Sequence, residues 1–509
     1  MQTQILKETK EKNEHMEQLA DHYLNFLREE LNSEIMYHSK MKLFWIYNPD
    51  TGAWNKYEID LKSTNELMYS RLFNYLRAKN LFENRYTNTS RVHQEVLKLA
   101  TILTNERKLA PELADDRYHN FTNGILDTKE KKFLEHTPKI FTDYQYPFEF
   151  DTNKEFKLSD YPNFEKLITG SLTEDGNGIC EDMETMVQQA FGTMLSPIKY
   201  PVMYIFTGVQ NSAKSTFMEL LRGFVGMDRS GAMALEKIAG KKSTTFSLYE
   251  ALMGNKLNIS EEIEGDQINA GTLKTLISEN VSNVEGKGTN AIKNVQFNTR
   301  FFGVTNNVLE FKDGTEGIDR RVKYINFTHS IPAKDVDETL VQRIVEKEME
   351  GVVAWAYQGL LSIEGNKQKE GEQWFNGFFQ SESSLDIRKE VANKSRPVYD
   401  FLEQIELART DDEGSHIDTK ALRIAFADWA EEEGAVQSAG MKQTTFGSQF
   451  REYVTKKLGM TSKEYDKLKR RIDNNTKTVV FGLTLTTAYV EPFMSAGEDK
   501  PLLNNDVPF

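Results

Sequence analysis

Apolar and polar positions along the chain recur with two periods, and the changes of period mark out its elements. Met16, Leu19, Ala20, Tyr23, Leu24, Leu27 and Leu31 fall three and four residues apart, which predicts one face of a helix from about Met16. Lys42 to Asp60 carries two aromatic stretches around Asn48-Pro49-Asp50-Thr51-Gly52 and predicts a hairpin. Residues 61–110 read as helical, and residues 119–151 as a second short β unit with polar turns. Residues 155–195 read as helices interrupted by the polar loop from Thr173 to Gly178. Pro201 to Phe206 is a short apolar run between Pro and Gly, the pattern of a buried parallel strand. After it, Phe217, Leu220, Leu221 and Phe224 return to helical spacing. Leu257 to Glu262 and Arg300 to Asn307 read as further buried strands, and a loop carrying Arg320 and Arg321 precedes another. Between them, Leu273 to Phe297 predicts a helix and then a hairpin that turns near Gly286 to Asn290. Residues 365–395 are polar and read as a linker or hinge. Ile417 to Gly434 and Thr444 to Met460 predict two helices, and Lys463 to Leu485 turns into a hairpin around Asn474-Asn475. The last stretch, 491–509, lacks periodicity and reads as disordered.

Composition narrows the class. A chain of 509 residues, 39% hydrophobic and 28% charged, has the length for several domains and ordinary cores. One cysteine, Cys180, excludes an internal disulfide framework and fits a reducing cytoplasm. The polar start predicts no secretory leader, and no apolar run approaches a membrane span. The net charge of -14 argues against a surface coated for nucleic acid, but not against a local basic channel or module.

The chemistry centres on GVQNSAKST, Gly208 to Thr216, which lies between the strand ending at Phe206 and the helix holding Phe217. A strand, a small-residue loop and a helix start present backbone N–H groups and a positive helix end to an anion. Gly208, Asn211, Ser212, Ala213, Lys214, Ser215 and Thr216 are the candidate phosphate-binding residues. Lys214 adds a full charge, and Ser215 is placed to ligate Mg²⁺. Ala213 departs from the motif, which wants glycine before the lysine. A surface turn holding Lys-Ser-Thr is the bland alternative.

Downstream residues repeat the theme. Glu261 and Glu262 end a strand, and a nucleotide engine uses such a pair to hold the metal shell and polarise water. Which does which stays open, and a solvated acidic turn is the alternative. The predicted hairpin carries Lys287 at its turn and Lys293 on its return strand. Asn306 ends the strand after it and could orient a water, or simply form a turn. Arg320 and Arg321 could reach a neighbouring subunit's nucleotide, or form surface ion pairs. Lys467, Lys469, Arg470 and Arg471 belong to a basic cluster that reads as a duplex-DNA contact, with a solvated helix face as the alternative.

In this order, the strand–loop–helix, acidic pair, lysine hairpin, strand-end Asn and arginine pair resemble superfamily 3 helicases, in particular the poxvirus-type primase-helicase family of phages, plasmids and phage-satellite islands. FTNGILDTKEKKFLEHTPKIFT and YNPDTGAW resemble that family's N-terminal domain. Glu350 to Trp355 resembles the helix closing its ATPase domain, and 396–485 its winged-helix domain. The N-terminal region is smaller than in full primase-helicases, with neither an acidic triad nor a zinc motif for primer synthesis.

The resemblance implies an α/β chain in which an AAA+-like P-loop ATPase core (198–364) follows an α+β N-terminal domain (1–152) and a helical collar (153–197). A linker (365–395), a C-terminal winged-helix domain (396–490) and a tail (491–509) would complete it. It implies ATP and Mg²⁺ bound between subunits of a hexameric ring that moves 3′→5′ on single-stranded DNA. Lys287 would line the channel, Asn306 would be a sensor, and Arg320 an arginine finger with Arg321 the close alternative. The terminal Asp506-Val507-Pro508-Phe509 resembles the tip of bacterial single-strand-binding proteins and implies a host replication partner. Two other classes compete: a protein-remodelling ATPase, and an origin-binding protein with an inactive loop.

Overall fold

The computed structural model describes residues 34–38, 43–57, 116–240, 243–252, 255–263, 268–278, 281–285, 292–312, 316–412, 414–433, 436–472 and 477–485, with scattered helical positions between 18 and 29. The helix expected over 61–110 and the tail 491–509 lie outside them.

The predicted N-terminal hairpin is part of a three-stranded antiparallel sheet. β2 (Leu43–Asn48) and β3 (Ala53–Tyr57) pair with Tyr47 opposite Trp54, and β1 (Ile35–His38), which the periodicity did not predict, adds at the edge of β2. Trp45, Tyr47, Trp54 and Phe141 form its core. The second β unit is the meander β4 (Tyr118–Phe121), β5 (Gly124–Asp127) and β6 (Lys132–Leu134), on which Phe121 stacks with Tyr146 and Phe150 at 4.9 and 4.8 Å. Trp54 N donates to Thr142 O (2.7 Å) and Asn120 Nδ2 to Thr51 O (3.0 Å), which joins the two units.

Helices α1 (Pro162–Ser171) and α2 (Glu181–Gly192) flank the expected polar loop. The core sheet follows: β7 (Met203–Gly208), α3 (Lys214–Val225), β8 (Ser230–Gly231), α4 (Leu235–Ala239), α5 (Thr245–Leu252) and β9 (Leu257–Ser260). After β10 (Ile268–Asn269) and α6 (Ala270–Ser278), the predicted hairpin is β11 (Val281–Val284) and β12 (Ile292–Gln296). The sheet is completed by β13 (Arg300–Val304) and β15 (Val322–Phe327); between them in sequence, β14 (Phe311–Lys312) pairs with β10 outside the sheet and α7 (Glu316–Asp319) follows. The order β15-β7-β13-β9-β8 is parallel throughout, as continuous apolar strands require. One face packs Phe206, Phe302 and Phe327 against Phe217, Leu220 and Leu221 of α3; the other packs Ile205, Phe301 and Tyr324 against α4 to α6.

The helix pair α8 (Leu340–Lys347) and α9 (Met349–Gly365) closes the first face, with α9 against α2. A Cβ on Gly359 would sit 2.1 Å from Gln188 O, so glycine is what lets these helices touch backbone to backbone. Where a linker was expected over 365–395, the chain is packed. It forms the hairpin β16 (Trp374–Phe375) and β17 (Phe378–Phe379), then α10 (Glu382–Ser395) against β15. Buried Phe378, Leu385 and Val391 supply the contact that a reading by average polarity overlooked.

The C-terminal unit has its own core of Val398, Leu402, Leu422, Phe426, Phe446, Phe450 and Val480. Its elements are α11 (Pro397–Gln404), β18 (Leu407–Arg409), β19 (His416–Asp418), α12 (Thr419–Glu432), α13 (Gln443–Lys456), α14 (Ser462–Leu468), β20 (Lys469–Ile472), β21 (Lys477–Phe481) and β22 (Leu483–Leu485). The expected helix–helix–hairpin order is present, with α14 inserted where a Thr461/Glu464 capping box starts a further helix. No helix among the described residues is long and apolar enough to cross a membrane.

Candidate nucleotide and nucleic-acid site

β7 delivers the small-residue loop at the C-terminal edge of the sheet, where open parallel sheets bind ligands. Gly208 leaves the strand at φ +120, and a Cβ there would meet Phe327 O at 2.1 Å. Asn211 and Ala213 both take left-handed conformations, φ 54 and 66. Lys214 is the first residue of α3. Its amine donates to Gly208 O (3.2 Å), Ser212 Oγ (2.9 Å) and Val209 O, and burial lowers its pKa. Ser215 is exposed and Thr216 half-buried at the start of α3. The loop tip is braced by the exit of β15: Ser330 Oγ donates to Gln210 O (3.0 Å) and Ile331 N to Asn211 O (2.8 Å).

Asn306 follows β13, the strand beside β7, and with Gly208, Val209 and Gln210 it lines a cavity of about 480 Å³. Glu261 and Glu262 follow β9, one strand further, about 10 Å from the end of β7 at ordinary strand spacing. The two acids differ. Glu261 pairs with Arg222 of α3 at 2.7 Å, whereas Glu262 is exposed on a left-handed backbone, φ 49, with no ion pair among the described residues. The donor set for a hard cation, a serine hydroxyl and carboxylates, is therefore on this edge, with Glu261 held in a surface pair that a ligand can exchange.

The arginines lie at the other end of the sheet. Val322 pairs with Met203 and Phe327 with Gly208, so Arg320 is roughly 20 Å from its own loop. Arg321 is committed within the chain, its Nε donating to Ser278 Oγ (2.5 Å) and its Nη1 to Gly317 O. Arg320 is exposed, its guanidinium 5.7 Å from the Phe375 ring centre. Lys293 is on β12, its side chain outside the described residues, as is Lys287 altogether. Lys467, Lys469, Arg470 and Arg471 are exposed where α14 runs into the edge strand β20. Lys469 lies 5.9 Å over Tyr465, and Arg470 lies 5.4 Å over Phe481.

Sequence reasoning passed over the residues that hold this edge together. Asp116 is buried between Lys256 and Arg300; burial alone raises its pKa, but the two cations outweigh that and hold the carboxyl well below the ordinary range. Asp116 thus ties the N-terminal unit to the start of β13, and Arg300 also donates to Ser196 O (3.0 Å). A lone Asp 140 or more residues from its partners carries no local signal. Arg222 did have one, since it sits eight residues after Lys214 on the same helix.

Two family models match. One described as "D5 N terminal like" covers residues 10–171, and one described as a family of unknown function (DUF5906) covers residues 206–321. Among solved structures, the chain is similar to the apo C-terminal region of NrS-1 in its A form, at 12% identity over 90% of this chain and 99% of that one, with a TM-score of 0.43. A second apo structure of that region gives 10% identity, 91% and 98% coverage and a TM-score of 0.45. The N-terminal third of the chain is thus similar to the D5 N-terminal family, and Lys214, Glu261 and Asn306 lie in the segment that is similar to the family of unknown function.

Proposed function

We propose that the chain is an ATP-dependent DNA helicase of the primase-helicase type, serving as replication initiator for a mobile genetic element. The observation that carries this is the alignment of three neighbouring strand ends: Lys214 after β7, Asn306 after β13 and the Glu261–Glu262 pair after β9. Strand order and loop geometry support an AAA+-like P-loop core, and the C-terminal element order supports a winged helix.

In this reading the Lys214 amine exchanges Gly208 O and Val209 O for phosphate oxygens, joined by the first N–H groups of α3. Mg²⁺, held by Ser215 and Glu261, would neutralise phosphate charge. Glu262, free of Arg222, polarises the attacking water, and Asn306 orients it. Arg320, too far from its own loop, acts on the nucleotide of the next copy in a hexameric ring, which Arg321 is too committed to do. Lys287 and Lys293 grip single-stranded DNA by its phosphates, without reading bases, during 3′→5′ movement. Lys467, Lys469, Arg470 and Arg471 hold origin duplex, and the Asp506–Phe509 tip recruits a host replication protein in the cytoplasm.

Fork unwinding with tails of either polarity tests this. Wild type is expected to unwind 3′-tailed forks, Lys214→Ala to lose ATP turnover, and Arg320→Ala to assemble yet unwind poorly. ATP hydrolysis that survives Lys214→Ala would remove the site assignment. DNA-independent turnover would favour a protein-remodelling ATPase.

A further inference from the structure

β15 carries a buried lysine with no acidic partner among the described residues. Lys323 is 0% exposed, and its amine has no hydrogen-bond partner among the described residues. Burial and the charge of Arg388 bring its pKa down to about 7. Its surroundings are aromatic and cationic. The amine is 5.4 Å from the Phe375 ring centre, and Arg320 approaches the same ring at 5.7 Å. Asp319, the acid beside Arg320 in sequence, faces Arg396 at 3.7 Å. In a chain of net charge -14, Arg320, Lys323 and Arg388 gather without an ion pair to any described carboxylate. Among the described residues no carboxylate competes for this cluster, so an anion brought by another molecule would meet it unpaired.

Phe375 is what stands in the way, and it is a light cover. It belongs to a hairpin of two-residue strands that turns through Asn376 and Gly377, both at positive φ (52 and 86). The ring also lines a cavity of about 290 Å³ with Val202 and Lys367, which gives it somewhere to turn. The chain's own nucleotide is out of range. Lys323 pairs with Tyr204, four strand residues before Gly208, or about 13 Å, roughly twice a lysine's reach.

Building on the proposed ring ATPase, we propose that Lys323 and Arg320 together contact the oxygens of the terminal phosphoryl group of a nucleotide bound by an adjoining copy while that group passes from ADP to water, with Phe375 as a displaceable cover. A compact, multiply charged anion can reach a recessed amine, whereas a passing DNA backbone would meet the exposed arginine alone. Two cations on one phosphoryl group stabilise the charge on its oxygens as transfer proceeds.

Mixing of variants tests this. Lys323→Met, which replaces a buried amine by an apolar group of similar length, is expected to fold with an unchanged or higher melting temperature and to lose about 100-fold in ATP turnover. Lys214→Ala is inactive for a different reason. Combined one to one before assembly, the two are expected to recover about a quarter of the wild-type rate, because that share of head-to-tail interfaces pairs an intact loop with an intact Lys323. A mixture no more active than its parts places the role of Lys323 within its own chain and overturns the proposal. So does Lys323→Met at the wild-type rate while Arg320→Ala is slow, a result that leaves the ATPase reading standing. A wild-type chain that hydrolyses no ATP with single-stranded DNA removes that reading and this one with it. If Lys323→Met fails to fold, Lys323→Gln is mixed in its place.

Discussion

Replacing Ala213 by glycine asks whether the loop before α3 is strained. Ala213 is the N-cap of α3 at φ 66 and ψ 12, a left-handed conformation in which its Cβ crowds the following carbonyl. Relief of that contact is worth about 1–2 kcal/mol. Against this, glycine gives the unfolded chain more freedom, at a cost of about 0.4–1 kcal/mol. The balance favours Ala213→Gly by about 1 kcal/mol, which corresponds to roughly fivefold slower exchange of the α3 amides if they open with the loop. Hydrogen exchange resolved to Lys214–Val225 measures this without mixing in the separately folded C-terminal unit. Ala213→Val is the opposing control, since a β-branched residue is worse still at positive φ, and its exchange should be faster. Faster exchange in Ala213→Gly would refute the reasoning, because unfolded-state entropy would then outweigh a strain that the left-handed backbone implies. Lys214 keeps its three acceptors in either case, so nucleotide turnover is expected to stay the same or rise.

The two arginines should separate cleanly: Arg321→Ala loses bonds to Ser278 and Gly317 and is expected to lower stability by about 1–2 kcal/mol, read by denaturant titration, while Arg320→Ala leaves stability unchanged. Asp116→Asn leaves Lys256 and Arg300 facing each other in a buried site and is expected to cost about 3–5 kcal/mol, seen as early release of the N-terminal unit in limited proteolysis. Lys199 and Lys323, each with a folded pKa of about 7 against an ordinary lysine value, bind fewer protons folded than unfolded above that pH. Stability is therefore expected to rise from about pH 7 to pH 9, and the slope to flatten in a Lys199→Met, Lys323→Met double variant followed by thermal melting.

Much of this organisation was legible because it is local. The run from Pro201 to Phe206 became β7 and the spaced Phe217, Leu220 and Leu221 became the buried face of α3, since period and burial report the same physical choice. Turn chemistry at Asn48–Gly52 likewise located β2 and β3. What stayed hidden depends on partners distant in sequence. Nothing near Asp116 announces Lys256 and Arg300, and nothing near Lys323 announces that Phe375 will lie over it. Residues 365–395 were obscured differently: a few buried side chains, Phe378, Leu385 and Val391, fix α10 and its hairpin among many polar ones, so average composition pointed to a linker.

One strand connects the two ends of the proposed motor. β13 is five buried residues long, about 17 Å, with Asn306 just beyond one end and Arg300 at the other. Arg300 holds Ser196 O and Ile198 O, and the next residue is Lys199, whose amine donates to Leu276 O at 2.7 Å and lies 4.1 Å from the Phe297 ring centre. Leu276 is in α6, just before β11, and Phe297 directly follows β12. The root of the lysine-bearing hairpin is thus bonded to the same strand whose far end borders the candidate nucleotide cavity. A close-packed interior does not deform continuously, so β13 can pass a shift at Asn306 along its length as a unit. Under the proposed function, nucleotide state reaches the hairpin through this strand and Lys199, and weakening the root should uncouple unwinding from hydrolysis. Lys199→Met is expected to keep DNA-stimulated ATP turnover within about threefold of wild type while fork unwinding falls by about tenfold or more. An equal fall in both would mean that Lys199 serves the fold of the core rather than the connection between site and hairpin.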